Sequence, residues 1–235
     1  MENTLIVIPT YDEKENIKRL INDIKALYPS IHILVVDDNS PDGTGRIVEQ
    51  LCKKFSTVEL IIRKKKGGLG SALILGFKYA MEKNYKNLIT MDADYSHEPK
   101  QIDSFLRYIA ENDLVIGSRY IDGGQIINWS IYRRLLSKLG NIYTTLLTGI
   151  PVKDVTTGYN CYNIEKLRQI DIKNIKTQGY VFQIEMKYMF WKKGLRIKEI
   201  PITFVEREKG KSKISKRIII EAFVWVIKHA LLNKN

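Results

Sequence analysis

The run Leu88-Ile89-Thr90-Met91-Asp92-Ala93-Asp94-Tyr95-Ser96-His97 reads as a buried strand that stops at two carboxylates one residue apart. Pro99 then opens a helix signal. In an open α/β sheet, ligands collect beyond the carboxyl ends of the strands, and hard divalent cations prefer carboxylate and phosphate oxygens. An Asp-x-Asp at such a point suits a metal that also grips a diphosphate, with Asp94 as the main ligand and Asp92 facing a nucleotide or sugar. The tripeptide by itself also fits a solvated loop or a helix cap, so the rest of the chain has to decide.

Upstream, the same alternation recurs. Residues 5–8 form a β-branched run closed by Pro9, followed by Thr10-Tyr11-Asp12-Glu13 and then Ile17, Leu20, Ile21, Ile24 and Leu27 at helical spacing. Residues 31–36 make a second apolar strand that ends in Asp37-Asp38-Asn39-Ser40-Pro41-Asp42-Gly43, a dense turn signal, before Ile47, Val48, Leu51 and Phe55 mark a helix. Residues 58–62 give a third strand, followed by Lys64-Lys65-Lys66-Gly67-Gly68-Leu69-Gly70 and a helix through Met81. Apolar strands alternating with helices predict a mostly parallel α/β sheet covered on both faces. Its loops bring Tyr11, Glu13, Asp37, Asp38, Asp92 and Asp94 to one edge, and acids gathered there need a cation, or sugar and base hydrogens, to hold.

The 235 residues suit one α/β domain, and 44% hydrophobic content is ample for a core. Lys and Arg number 38 against 26 Asp and Glu, a formal charge of +12 that points to an anionic partner. Cys52 and Cys161 lack a CxxC spacing, which argues against a disulfide framework or a zinc site. Met1-Glu2-Asn3 leads straight into a strand, and no run reaches the roughly 18 to 20 apolar residues of a spanning helix, so a cytoplasmic protein is expected. The Lys64 to Lys66 run lacks interleaved aromatics, and no nucleic-acid partner is expected.

Several segments together resemble one family. They are Pro9-Thr10-Tyr11-Asp12-Glu13, Val35-Val36-Asp37-Asp38 with Ser40-Pro41-Asp42-Gly43-Thr44, Gly68-Leu69-Gly70-Ser71-Ala72 and Met91 through His97. Gly117-Ser118-Arg119-Tyr120, residues 154–159, Gly179-Tyr180-Val181-Phe182-Gln183 and Arg207-Glu208-Lys209-Gly210-Lys211-Ser212-Lys213 continue the likeness over nearly the whole chain. The sequence resembles the dolichyl-phosphate mannose synthases, inverting glycosyltransferases of the GT-A fold.

The resemblance implies transfer of mannose from GDP-mannose to dolichyl or another polyprenyl phosphate, with Mg²⁺ or Mn²⁺ as cofactor. It sets the nucleotide sugar against Pro9, Tyr11, Glu13, Val36, Asp38, Asp92, Ala93 and Asp94, with Arg119, Arg207 and Lys213 on the diphosphate. Arg119, Arg133 and Ser137 would take the acceptor phosphate, and Asp94, Arg119 and Arg207 would carry catalysis. Metal ligation falls to Asp94 and Ser96. Many relatives carry Gln at the latter position, so the shorter Ser hydroxyl would reach a metal through a water.

Residues 1–120 form the nucleotide-sugar half and 121–235 the acceptor half of a single domain. Asp37 is expected to hold its turn, His97 either to enter the following helix or to stand behind the site, and Arg134 to lie on a solvated basic face. Gly68 and Gly70 fit either a close approach to ligand or a plain helix entry, and Glu185 either an active-site carboxylate or a partner for Lys within its helix. Residues 214–232, preceded by Lys213, mix apolar side chains with Lys216, Arg217 and Lys228, which fits either an interfacial helix or a core helix. The expected location is peripheral, on the cytosolic face of a membrane, with or without an anchoring subunit. Rival readings are a polyprenyl-phosphate glucose synthase, a catalytically silent nucleotide-sugar-binding subunit, and a nucleic-acid-binding module suggested by charge alone.

Overall fold

Strand β1 (Thr4–Thr10) is buried along almost its whole length, and its side chains alternate between two cores. Leu5 and Val7 pack into one, Ile6 and Ile8 into the other. Strand β2 (His32–Asp37) repeats the pattern with Leu34 and Val36 on one side and Ile33 and Val35 on the other. Burying each such side chain contributes roughly 1.5 to 3 kcal/mol, so a strand apolar on both faces is stable only between two helical layers.

The computed structural model describes residues 3–206 and 216–232, with side chains at 221–229 of the latter segment. After β1 come α1 (Ile17–Leu27), β2, α2 (Thr44–Lys54), β3 (Val58–Ile62), α3 (Leu69–Glu82) and β4 (Asn87–Thr90). A 3₁₀ turn, Pro99–Gln101, enters α4 (Ile102–Ile109), followed by β5 (Leu114–Ser118), β6 (Gln125–Ile127) and α5 (Ile131–Thr148). The chain continues through β7 (Asn160–Asn163), α6 (Ile164–Leu167), α7 (Gly179–Lys192), β8 (Ile197–Pro201), β9 (Thr203–Val205) and α8 (Lys216–Leu232).

The main sheet runs β3-β2-β1-β4-β7-β5-β8, and β6 pairs with β9 in a small second sheet. Neighbours in the main sheet are parallel except where β7 lies antiparallel between β4 and β5. Helices α1, α2 and α4 cover one face and α3, α6 and α7 the other. The register aligns Thr10 with Asp37 at the ends of β1 and β2, so the loops after β1, β2, β4 and β5 open on one edge. Both β7 and β8 come from the half after residue 120, so strands of the two halves interleave.

Helix α3 approaches β1 through Gly76. A Cβ there would lie 2.5 Å from Val7 Cγ1. Gly140 on α5 has open space where a Cβ would go. Gly76→Ala is therefore expected to lower stability by about 1 to 3 kcal/mol through overpacking. Gly140→Ala should raise it by about 0.5 to 1 kcal/mol through helix propensity. Urea midpoints of the two variants check both signs.

Candidate active site

The loops after β1, β2 and β4 each turn through a non-glycine residue in the left-handed region. Asp12 has φ 55°, Asn39 φ 58° and Tyr95 φ 63°, conformations that persist where surrounding contacts over-determine them. Those contacts are visible. The Asp12 amide donates to Ser40 Oγ, that of Glu13 to Thr44 Oγ1 and that of Lys14 to Asp42 Oδ2, so the Ser-Pro-Asp-Gly-Thr segment clamps the loop after β1. Asp37 accepts from the Ser40 amide and from Thr10 Oγ1, which makes it a turn-former as its sequence context suggested. Tyr95 Oη donates to Asp23 at 2.6 Å and anchors the turn that follows Asp94.

The loops enclose a cavity of about 380 Å³. Pro9, Tyr11, Glu13, Asp38, Asp92, Ala93, Asp94, Arg119 and Arg133 all line it, so most of the sequence-derived site converges. Three expected residues do not line it. Val36 belongs to the apolar core beneath β2, because the strand's alternation turns it inward. Ser96 is 2% exposed, and its amide donates to Asp94 Oδ1. Ser137 sits one turn further along α5 than Arg133, where its carbonyl accepts from Asn141. Arg207 and Lys213 lie outside the described residues.

Asp38 holds more of the protein itself than its sequence suggested. Its carboxylate takes Arg63 at 2.6 Å and the amides of Gly67 and Gly68, tying β2 to the glycine loop. Gly68, at φ 88°, lines the cavity, yet a Cβ there would stand 2.7 Å from Gln178 Oε1. At Gly70 a Cβ would stand 2.3 Å from the Thr177 carbonyl. Both glycines thus make room for the segment that enters α7, and the Gly70 amide donates to Gln178. Lys66 Nζ stands 3.4 Å from the centre of the Tyr11 ring, so a cation already covers one face of that platform. Glu185 accepts from Thr177 Oγ1 and does not line the cavity, which fits neither role its position allowed.

His97 is buried behind the acids, stacked on Tyr159 with centroids 4.6 Å apart. Its Nδ1 accepts from the Asp92 amide, which puts the neutral ring's proton on Nε2, 3.9 Å from the Asp92 carboxylate. Burial pushes the imidazole's pKa below its ordinary value. A pair of carboxylates one residue apart, with no cluster of three His, Cys, Asp or Glu among the described residues, fits a divalent ion whose remaining ligands are substrate oxygens and water.

The opposite wall is cationic. Arg119 spends its Nε and Nη2 on Asp154, both at 2.7 Å, and Nη2 also reaches Thr156 at 2.9 Å. Burial alone would raise Asp154, but the Arg119 guanidinium holds its carboxyl below the usual carboxylate range. Arg133 pairs with Glu206 and lies 4.1 Å from the centre of the Trp129 ring. Arg134 is exposed and donates to the Ile126 carbonyl, outside the cavity. Sequence reasoning gave no role to Trp129, Asp154, Gln178, Gln183 or Phe204. Asp154 and Gln183 stand in segments that carry the family resemblance, whereas Trp129, Gln178 and Phe204 had no such signal, since a single aromatic or amide in a loop does not announce its partner.

Lys187, on α7, is fully buried behind this wall and donates to the Thr157 carbonyl at 2.9 Å. Burial pushes its pKa from the ordinary 10.5 down to about 7 despite Asp154 nearby.

Superposition on known folds completes the assignment. Glucosyl-3-phosphoglycerate synthase from Mycobacterium tuberculosis in complex with phosphoglyceric acid matches with a TM-score of 0.71 at 15% identity, over 97% of this chain and 80% of that one. Its complex with Mn²⁺, UDP-glucose and phosphoglyceric acid matches at 0.70 and 15%, over 97% and 79%. The fold is GT-A, that of nucleotide-sugar glycosyltransferases. Residues 5–171 match glycosyl transferase family 2, and the chain belongs to that family. Undecaprenyl-phosphate mannosyltransferase of Micrococcus luteus is 41% identical over 227 residues, 97% of this chain and 93% of that one. Polyprenol monophosphomannose synthase of Mycolicibacterium smegmatis is 42% identical over 227 residues, with 96% and 86% covered.

A lysine whose pKa falls on folding binds fewer protons in the folded chain than in the unfolded chain between the two values. Its contribution to stability therefore rises with pH from about 7 to 10.5. Lys187→Met should flatten that rise by up to about 1.4 kcal/mol per pH unit. Urea unfolding of both proteins between pH 7 and 10 measures the difference.

Proposed function

We propose that this chain transfers mannose from GDP-mannose to dolichyl or another polyprenyl phosphate, with inversion at the anomeric carbon. One observation carries the reading: the Asp92–Asp94 pair and the Arg119–Arg133 pair line the same cavity. An acidic wall suits a metal-bound diphosphate and a basic wall suits a second phosphate, so the two anions of such a reaction would meet there. The names of the Micrococcus and Mycolicibacterium relatives support the acceptor class and the sugar.

In this reading residues 1–120 hold the nucleotide sugar and 121–235 the acceptor. Pro9, Tyr11, Glu13, Asp38 and Ala93 flank the nucleotide, and Asp92 faces nucleotide or sugar. A polyprenyl phosphate has its second pKa near 6 and arrives ionised, so it attacks the anomeric carbon without a general base. Alignment and charge control are the enzyme's tasks.

Arg119 arrives pre-oriented, because Asp154 fixes its Nε and Nη2 and leaves Nη1 for an anion. Arg133 begins the acceptor side, and Arg207 and Lys213 would complete the cationic set. Asp94, oriented by the Ser96 amide, would hold Mg²⁺ or Mn²⁺, which offsets the charge of departing GDP when bound. No helix among the described residues is long and apolar enough to cross a membrane. In this reading the lipid acceptor brings the chain to the cytosolic face of a membrane, by itself or with an anchoring subunit.

Asp94→Ala is expected to cut transfer by on the order of 10²-fold or more, with an unchanged far-UV spectrum. Turnover near wild type would remove the metal assignment. Arg119→Ala should cost at least as much, whereas Arg134→Ala should lower the rate by less than about three-fold, as for an exposed charge. Equal losses in both would point to general electrostatics. Radiolabelled GDP- and UDP-sugars, offered with Mg²⁺ or Mn²⁺ and polyprenyl phosphate, should yield lipid-linked mannose from GDP-mannose. Transfer from another donor would favour a polyprenyl-phosphate glucose synthase or a relative of it.

A further inference from the structure

Tyr95 follows Asp94 directly and holds φ at 63°, a region that an aromatic residue enters only when its surroundings compel it. The same turn aims the Asp94 carboxylate, whose Oδ1 accepts from the Ser96 amide on the far side of Tyr95. Whatever holds Tyr95 therefore also holds the carboxylate assigned to the metal.

The hold comes from α1. Tyr95 Oη donates to Asp23 Oδ2 at 2.6 Å, and the Arg19 guanidinium carbon lies 4.6 Å from the centre of the Tyr95 ring. Arg19 Nε stands 3.8 Å from the same Asp23 oxygen, as residues four apart on one helix face can. Tyr95 also packs against the core cluster that contains Ile17, Leu20 and Ile21 of α1. A phenol bonded to a carboxylate and a ring covered by a cation together offset the cost of one left-handed non-glycine residue. An exposed ion pair alone would contribute too little. The Arg19 and Asp23 side chains are 65% and 48% exposed, and none of the three residues lines the cavity, so the group acts on the site from outside it.

We propose that Arg19, Asp23 and Tyr95 clamp the turn after β4 in the conformation that presents Asp94 to a divalent ion, which makes Asp23 and Tyr95 positioning residues for metal binding. The inference rests on the metal role given to Asp94 above. Without the clamp Tyr95 relaxes toward negative φ, the Ser96 amide leaves Asp94, and an ion meets a competent carboxylate only a fraction of the time. Apparent metal affinity falls by that fraction, while the occupied site stays the same.

Two measurements on the full chain test the clamp, in Asp23→Ala and in Tyr95→Phe, which loses the hydroxyl and keeps the ring. In metal-free protein the Ser96 amide should exchange with solvent at least about five-fold faster in either variant. With GDP or UDP present, Mn²⁺ affinity read from the ion's paramagnetic resonance should fall at least about five-fold in either variant. The Asp23→Ala/Tyr95→Phe double variant should fall no further, as for two ends of one bond. Saturating Mn²⁺ should return sugar transfer by each variant to within about two-fold of wild type. Glu15→Ala, which removes an exposed carboxylate just before α1, should change neither exchange nor affinity. Variants that match the wild type in both measurements overturn the clamp, and Mn²⁺ binding by the wild type that Asp94→Ala abolishes would then leave the metal assignment standing. Additive losses in the double variant, equal losses in Glu15→Ala, or a transfer defect that saturating Mn²⁺ does not recover also overturn it. A wild type that binds no Mn²⁺ beside either nucleotide sinks the metal assignment, and the positioning role with it.

Discussion

The buried ion pair between Arg119 and Asp154 is the constraint on which the site rests. Arg119 follows β5, Asp154 sits in the segment leading to β7, and both side chains are almost wholly removed from water. A charge so buried survives only when paired and hydrogen-bonded, and breaking such a pair typically costs about 3 to 5 kcal/mol. The bond therefore fixes the loop at 154–158 to the end of β5. The Asp154 amide in turn donates to Glu199 on β8, and Lys187 closes the loop from behind through the Thr157 carbonyl. Thr90, at the end of β4, donates to the Gly158 carbonyl and joins the acid-bearing loop to the same segment. The acidic wall and the basic wall thus hang on one stretch of backbone. Their separation is set by the fold before any ligand enters.

The cavity presents both signs of charge to one space: Lys66, Arg119 and Arg133 line it together with Asp92 and Asp94. Arg133 itself is balanced by Glu206 and stacked over Trp129, which restrains a long side chain at the mouth.

Much of this was legible in the sequence because it depends on local pattern. Strands β1 and β2 are β-branched runs buried on both faces, and an acid at the end of such a run is placed by the strand itself. Asp92, Asp94, Tyr11 and Glu13 were found in that way. Three kinds of feature escaped. Strand β7, Asn160-Cys161-Tyr162-Asn163, is short and polar at both ends, and its antiparallel insertion is chosen by tertiary pairing. Residues such as Val36 and Ser96 follow acids or precede them in sequence, but the side-chain direction that takes them from the cavity is set by the pleat and the turn. Asp154 and Lys187 are ordinary charged residues in sequence, and only packing reveals that each is sealed from water against a specific partner.

The position of β7 also dictates an order of assembly. Strands β4 and β5 are neighbours in sequence and would pair directly in a simple βαβ succession, yet the sheet keeps a gap between them for a strand made some 40 residues later. Until β7 arrives, the edge of β4 is an open ladder of backbone donors and acceptors, the kind of edge that invites mispairing with another chain. A fragment ending at residue 120 would retain that exposed edge and lack the partner of Arg119. During synthesis at about 5 to 20 residues per second, the roughly 40 residues made between β5 and β7 leave this edge without its native partner for several seconds.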